Sequence, residues 1–171
     1  MPIKSKVRFD QYANKAVALV TMSAANTLTF EQIRFGVGTF QGVGLLIHRV
    51  EYVLSAASIR ELVASTDSLA MAVTRSDDYT SLDAVDPGMI AVKFVTGLAA
   101  NVETMINPLV TDYSELPGGG LIVPANPIYV GLTTAGAAAA SAVRVIIYFT
   151  FLQLADKDYI ELIQSMLPVN M

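Results

Sequence analysis

The chain has 171 residues, of which 53% are hydrophobic and only 15% charged, with a net charge of −4 and no cysteine. This length corresponds to one domain with a single core, and the lack of cysteine excludes disulfides, thiolate metal sites and a cysteine nucleophile. The negative charge argues against nucleic-acid binding through a broad basic face. A charged fraction well below the usual value of about 25% indicates that part of the outer surface meets other subunits, a hydrophobic ligand or a membrane.

Residues 116–143 carry no charge and are numerous enough for a membrane-spanning helix, which needs about 20 residues. Pro117, Pro124 and Pro127 interrupt this segment together with several glycines, so we expect no helix there. The N-terminus has basic residues without a hydrophobic region behind them, which is unlike a secretory signal. We therefore expect a soluble protein made in the cytoplasm, without a signal peptide.

Apolar and polar residues alternate with a period of two along most of the chain, which predicts β-strands. The predicted strands cover residues 16–22, 27–35, 43–54, 69–75, 89–95, 102–110, 121–123, 128–132 and 143–152. In the third strand, the residues that share one face are Leu46, His48, Val50, Tyr52 and Leu54. In the last strand, the face predicted to be buried consists of Val143, Val145, Ile147, Phe149 and Phe151.

Two segments predict short helices. Ser58 and Glu61 match the S-x-x-E capping box, which predicts a helix over residues 58–65 that begins at Ser58. Asp156 is placed to cap a second helix, which ends before Pro168. The apolar face of this second helix consists of Tyr159, Ile160, Ile163, Met166 and Leu167.

Eight or nine strands with loops of unequal length predict an all-β fold, an antiparallel β-sandwich of jelly-roll type with a short inserted helix and a short C-terminal helix. The strands do not alternate regularly with helices, which argues against a doubly wound parallel sheet. An up-and-down barrel would have shorter and more even hairpins. We expect one domain over residues 1–171, with residues 1–15 as an extended N-terminal arm.

The sequence contains few residues that suggest catalysis or metal binding. His48 is the only histidine, and its place in a strand pattern favours a structural role. The densest acidic cluster consists of Asp77, Asp78, Asp83 and Asp86. It could offer oxygen ligands to a cation but lacks the spacing of a calcium loop, so solvated loop carboxylates are expected.

Residues 118–120 are three consecutive glycines without the lysine and serine or threonine of a phosphate-binding loop, and they predict a flexible turn. No serine lies in a G-x-S-x-G nucleophile elbow. We therefore predict no catalytic residue, no cofactor, no metal site and no enzymatic activity.

Basic residues are concentrated at the N-terminus. Four of the eleven lie within the first fifteen positions, namely Lys4, Lys6, Arg8 and Lys15. They are candidates for a weak contact with a nucleic acid or a membrane surface. The alternative is that these charges are simply solvated.

Two segments near the C-terminus carry a resemblance to a known family. LIVPANPIYVGLTTAG (121–136), followed by AVRVIIYFTFLQLADKDYIELIQSM (142–166), resembles the last strands and short helix of single-jelly-roll major capsid proteins of tailless icosahedral viruses of bacteria and archaea. The resemblance implies a β-sandwich subunit that binds other copies of itself, and in some cases a second capsid protein, around a genome or an internal membrane. It also implies a location in the virion. The low acid content departs from the halophilic members of that family.

The residues themselves also favour a shell-forming protein, because they combine a β core, an apolar composition and no catalytic signature. A rival hypothesis is a ligand- or glycan-binding β-sandwich, such as a lectin-like spike, which would present exposed aromatics and polar side chains on one face. The chain has no tryptophan, a residue that often stacks on sugars. An enzyme on a cupin-like jelly roll would normally require a cluster of histidines.

Overall fold

The computed structural model describes residues 7–8, 13–36, 42–62, 64, 66–82, 86–97 and 108–166. In these residues, ten strands form two antiparallel sheets. The six-stranded sheet comprises β1 (Val7–Arg8), β2 (Asn14–Thr21), β4 (Val43–Leu54), β7 (Leu109–Asp112), β8 (Leu121–Pro124) and β10 (Ala142–Gln153). The four-stranded sheet comprises β3 (Thr29–Ile33), β5 (Ser68–Thr74), β6 (Met89–Thr96) and β9 (Ile128–Ala135).

The order of the strands defines the topology. In the first sheet β10 pairs with β4 on one side and with β1 and β2 on the other, while β7 and β8 pair with opposite ends of β4. The second sheet has the order β3-β9-β5-β6. Most successive strands pass from one sheet to the other, as in the two interleaved four-stranded sheets of a jelly roll. The predicted fold class is therefore confirmed.

All nine predicted strands are present, mostly with ends displaced by one to three residues, and the short β1 adds a tenth within the described residues. The strand predicted over residues 102–110 corresponds to β7, and residues 102–107 lie outside the described residues. The predicted turn at residues 86–88 is also found, because the Met89 N–H donates to the Asp86 carbonyl oxygen at 2.9 Å. Gly118 and Gly119 adopt positive φ angles of 96° and 76°, which suits the predicted turn there.

The core lies between the sheets, and β10 contributes one continuous face to it. Val143, Val145, Ile147 and Phe149 are all buried, as predicted, whereas Phe151 at the end of that face is half-buried. The Phe149 ring packs edge-to-face against Phe35 and Phe151, with centroid separations of 5.0 and 5.1 Å.

A β-bulge in β4 corrects one predicted face. Tyr148 of β10 pairs with Arg49, but the next residue, Phe149, pairs with Ile47, so His48 is an extra residue without a partner in β10. A bulge of this kind shifts the alternation by one residue. Leu46 therefore points to the outer face of the sheet, and its predicted place beside Val50 and Tyr52 was wrong.

The first helix, α1 (Ala56–Arg60), begins earlier than predicted. Its N-cap is Ser55, whose hydroxyl accepts a hydrogen bond from the Ser58 N–H at 3.0 Å. Ser58 lies inside the helix and is buried, and its hydroxyl donates to the Ala142 carbonyl oxygen at 2.9 Å. Glu61, the other half of the predicted capping box, accepts hydrogen bonds from the N–H groups of Ala138 and Ala139 instead. The two residues of the predicted box thus bind the first residue of β10 and the segment before it.

The second helix, α2 (Asp156–Ser165), follows Ala155 at the N-cap, where no side chain makes a capping hydrogen bond. The predicted cap at Asp156 was wrong, because Asp156 is the first helical residue. There its charge still favours the helix through the positive N-terminal end of the dipole. Tyr159 is buried, but Ile160 is 54% exposed and Leu162 takes its place on the packed face. Leu167 lies outside the described residues.

Candidate assembly surface

The His48 bulge divides the outer face of the six-stranded sheet into two halves. In one half, Leu46, Ile122 and Leu152 form an apolar cluster with Leu154 and the packed face of α2, which covers them. In the other half, no element in the described part of the chain covers the strands β2, β10 and β4. This second half is therefore an uncovered part of the sheet's outer face.

The uncovered half combines exposed apolar side chains with two charged ones, Glu51 and Arg144. Val17 and Leu19 on β2 are 53% and 57% exposed. In one row across the sheet, Val17 pairs with Ile146, Ile146 with Glu51, and Glu51 with Val110. In the neighbouring row, Leu19 pairs with Arg144, and Arg144 pairs with Val53. We call the apolar residues of this surface the open half-face: Val17, Leu19, Val53, Val110 and Ile146.

Polar side chains border the open half-face along the next row of paired residues. The Lys15 Nζ lies 5.9 Å from the centroid of the Tyr148 ring, within the range of a cation–π contact. Arg49 Nη2 lies 2.7 Å from Glu51 Oε1, and the Tyr148 hydroxyl donates to Glu51 Oε2 at 3.4 Å. At the end of the row, hydrogen bonds from the Ser114 hydroxyl and N–H lower the pKa of Asp112. A mixture of apolar, polar and charged side chains is usual in a protein interface, which as a whole is about as apolar as the rest of the surface.

A groove of about 580 Å³ runs along the free side of β2. It lies between β2 and β3, which are neighbouring edge strands of the two sheets, and its floor includes Phe35, Phe149 and Phe151. Glu31 and Arg34 stand at its rim and are exposed. Charged side chains on an edge strand hinder unspecific pairing with another strand. The outer face of β2 is therefore a better candidate for a subunit contact than this groove.

Of the four predicted basic contacts, the structure describes the side chain of Lys15 and the backbone of Arg8. Lys15 belongs to β2 and stands at the rim of the open half-face. Arg8 pairs through its backbone with Leu152. Lys4 and Lys6, and the side chain of Arg8, lie outside the described residues.

The other residues considered as functional candidates make local contacts. The His48 ring nitrogens lie 2.7 Å from the Gly119 carbonyl oxygen and 3.2 Å from the Thr150 hydroxyl, so the side chain ties the glycine turn to β10. Asp86 accepts hydrogen bonds from the Gly88 N–H and the Tyr79 hydroxyl. Asp83 lies outside the described residues, and among those described no group of three histidine or acidic side chains converges on a point.

The sequence analysis did not single out Val17 and Leu19. Residues 16–20 read AVALV, apolar at both parities, so alternation alone could not tell which parity faces outward. A signal was nevertheless present, since an apolar strand at a sheet edge must expose one of its two faces unless another element covers it.

Comparison with known proteins finds solved structures with a similar fold. No protein-family model matches the chain, and no curated protein matches its sequence. The structure is similar to VP1 of Trichodysplasia spinulosa-associated polyomavirus, with a TM-score of 0.53 at 8% identity over 90% of this chain and 100% of that chain. This is the fold of a viral capsid protein.

Another VP1 structure from the same virus, in complex with 3′-sialyllactose, matches with a TM-score of 0.50 at 8% identity over 89% of this chain and 98% of that chain. A structure of Bacillus endospore appendages, which are disulfide-linked pili, matches at a TM-score of 0.35 with 11% identity over 91% of this chain and 100% of that chain. At these identities the VP1 likeness shows the fold, and a fold alone does not assign a function. No helix in the described ranges has both the length and the apolar character needed to cross a membrane.

Proposed function

We propose that this chain is the structural subunit of a viral capsid and assembles with copies of itself into the shell of a virion. The observation that carries this proposal is the open half-face, where Val17 and Leu19 are more than half exposed on a jelly-roll sheet. The similarity of the fold to that of polyomavirus VP1, a viral capsid protein, supports it.

The energetics favour a contact at this surface. Apolar area gains about 25 cal/mol per Å² when it leaves water, and Val17 and Leu19 expose such area. The polar row of Lys15, Tyr148, Arg49 and Asp112 presents both signs of charge at the rim. A second copy can therefore contact the open half-face without meeting a rim in which all charges have the same sign.

Finer features of the virus follow from the resemblance of residues 121–166 to capsid proteins of tailless icosahedral viruses of bacteria and archaea. On that basis we propose a host of this kind. A second capsid protein and a weak contact of Lys4, Lys6 and Arg8 with the genome or an internal membrane belong to the same proposal. The concentration of basic residues in the first fifteen positions supports the weak contact.

The proposal is tested by determining the size of the purified full chain with light scattering, followed by negative-stain electron microscopy. We expect ring-like capsomers or closed shells. A monomer that persists at high protein concentration, with no particles on the grid, would contradict it.

The alternative is a ligand- or glycan-binding β-sandwich. It requires an exposed aromatic and polar side chains on one face, and the four-stranded sheet offers this combination in a groove beside Phe94. Ligand binding at that groove is compatible with shell formation, because the groove and the open half-face lie on different sheets.

A further inference from the structure

A groove of about 310 Å³ lies on the outer face of the four-stranded sheet. Its floor is Ala70 on β5, which pairs with Phe94 on β6 and with Thr133 on β9. The small Ala70 side chain leaves a recess between these larger neighbours. Leu28 and residues 80–82 complete the walls.

The groove adjoins a closed part of the same face. Ala70 and Ala72 pack in one small cluster with Leu82, and Phe30 and Val92 pack against it. Beside Ala72, a Cβ atom added to Gly131 would lie 2.7 Å from the Phe30 ring and 3.0 Å from Leu82. The sheet face is thus tightly covered in the row of Ala72, and the groove opens over the row of Ala70.

Phe94 stands at the open side of the groove and is 57% exposed. A phenylalanine that is this exposed offers a ring face to a ligand at little desolvation cost, because the face is not packed against the protein. Pockets that bind small molecules have volumes of about 300–1,000 Å³ and combine apolar walls with a few polar groups. The groove meets the lower limit of that range.

Hydroxyl groups supply the polar part. Ser68, Thr80, Ser81 and Thr133 line the groove, and within the described residues their hydroxyls form no side-chain hydrogen bond. Each hydroxyl can both donate and accept. None of the lining residues is charged.

We propose that this groove binds a neutral saccharide, with one sugar ring stacked on Phe94 and its hydroxyls bonded to Thr133, Thr80 and Ser81. A sugar ring has an apolar face of C–H groups and an edge of hydroxyls, which matches an aromatic ring beside neutral donors and acceptors. The uncharged lining offers no ion pair to the carboxylate of an acidic sugar. The proposal does not depend on assembly, because it concerns the other sheet.

The test uses the full chain and ligand-observed NMR with neutral sugars: glucose, galactose, N-acetylglucosamine, lactose, maltose and cellobiose. The acidic comparison is 3′-sialyllactose. We expect at least one neutral sugar to bind and 3′-sialyllactose to bind no more tightly than lactose. Phe94→Ala should weaken the neutral sugar by about tenfold or more, as expected when an aromatic stacking surface is lost.

Ile160→Ala is the matched control, since Ile160 is exposed to a similar degree on α2, and it should leave binding unchanged. Thr133→Val removes one hydroxyl at nearly constant volume and should also weaken binding, which keeps the test valid if Phe94→Ala does not fold. The proposal is overturned if no neutral sugar binds at high millimolar concentration, if only 3′-sialyllactose binds, or if Phe94→Ala binds like the unmodified chain. Loss of particles in Phe94→Ala without any sugar binding would identify the groove as a subunit contact and would also overturn it.

Discussion

Phe149 is the residue on the inward face of β10 that contacts the aromatic rings beside the edge strands β2 and β3. It is 4% exposed and packs edge-to-face against Phe35 and Phe151. Because truncating a buried phenylalanine typically costs about 3–5 kcal/mol, Phe149→Ala should lower the urea midpoint strongly or yield insoluble protein. Phe94→Ala removes the same atoms from an exposed site and should change the midpoint little. Equal midpoints for the two variants would contradict the assignment of Phe149 to the core.

Buried tyrosines predict how stability depends on pH. Burial raises the pKa of Tyr52, Tyr113 and Tyr159, and for Tyr79 burial acts together with a hydrogen bond to Asp86. The unfolded chain releases these protons near a pH of about 10, whereas the folded chain keeps them. The free energy of unfolding should therefore be insensitive to these groups below about pH 10 and should fall as the pH rises above it.

Urea midpoints measured from about pH 8 to about pH 11 check this expectation. Tyr52→Phe loses the hydrogen bond to the Ala91 carbonyl oxygen, 2.9 Å away, so it starts less stable. Its urea midpoint should nevertheless fall less steeply as the pH rises above about 10, because one tyrosine with a raised pKa has been removed. A midpoint that stays constant up to about pH 11 in the unmodified chain would contradict the prediction.

At the scale of elements, α2 belongs to the subunit that carries it. Tyr159 is buried against Leu152 and Leu154, whereas its neighbour Ile160 points to solvent. Tyr159→Ala should destabilise the subunit by about 3 kcal/mol, and Ile160→Ala should have an effect within about 0.5 kcal/mol, as is usual at the surface. Thermal unfolding of both variants checks this. An unaffected Tyr159→Ala subunit would mean that the helix does not pack on its own sheet in solution.

Elements were predictable where local patterns match tertiary packing. The nine strands follow from alternation, and the buried face of β10 follows from its β-branched and aromatic residues. The face of β4 was assigned wrongly at Leu46, because alternation contains no information on the bulge at His48. The consecutive apolar residues Leu45, Leu46 and Ile47 were the available sign that both faces of the strand are covered there.

Caps and sites were less predictable, because both depend on distant residues. Ser58 matches a capping box by sequence, but Ser55 is the N-cap, because the Ser58 hydroxyl is bonded to Ala142, which is 84 residues away. The open half-face and the Phe94 groove were difficult to predict for the same reason. Each combines residues of three or four strands, and the exposure of each side chain is fixed by which element covers it.

At the scale of the whole molecule, assembly should depend on the open half-face. Val17→Glu combined with Leu19→Glu replaces its two most exposed apolar side chains by charges, and we expect this variant to remain folded while losing particles. Thr21→Glu is the matched control, because Thr21 is exposed on the same face at the end of β2. Circular dichroism monitors the fold and light scattering monitors the size. Particles of normal size in the double variant would exclude this surface from the subunit contact.

The response to salt distinguishes apolar contacts from a basic arm. Apolar burial is not screened by salt and is strengthened by sulfate, whereas contacts between lysines and phosphates weaken as salt rises. We expect particles to persist or increase across a sodium chloride and sodium sulfate series. A chain lacking residues 1–6, which keeps β1 and Lys15 in the sheet, should behave in the same way. Dissociation at moderate salt that depends on Lys4 and Lys6 would support the basic arm instead.

The bulge at His48 has a consequence for how this protein can evolve. The same two strands, β4 and β10, pack against α2 on one side of the bulge and leave the open half-face exposed on the other. Because these two surfaces share strands but no side chains, a substitution on the open half-face leaves the packing under α2 untouched. Under the proposed function, lineages can therefore change the contact between subunits without first acquiring a more stable subunit.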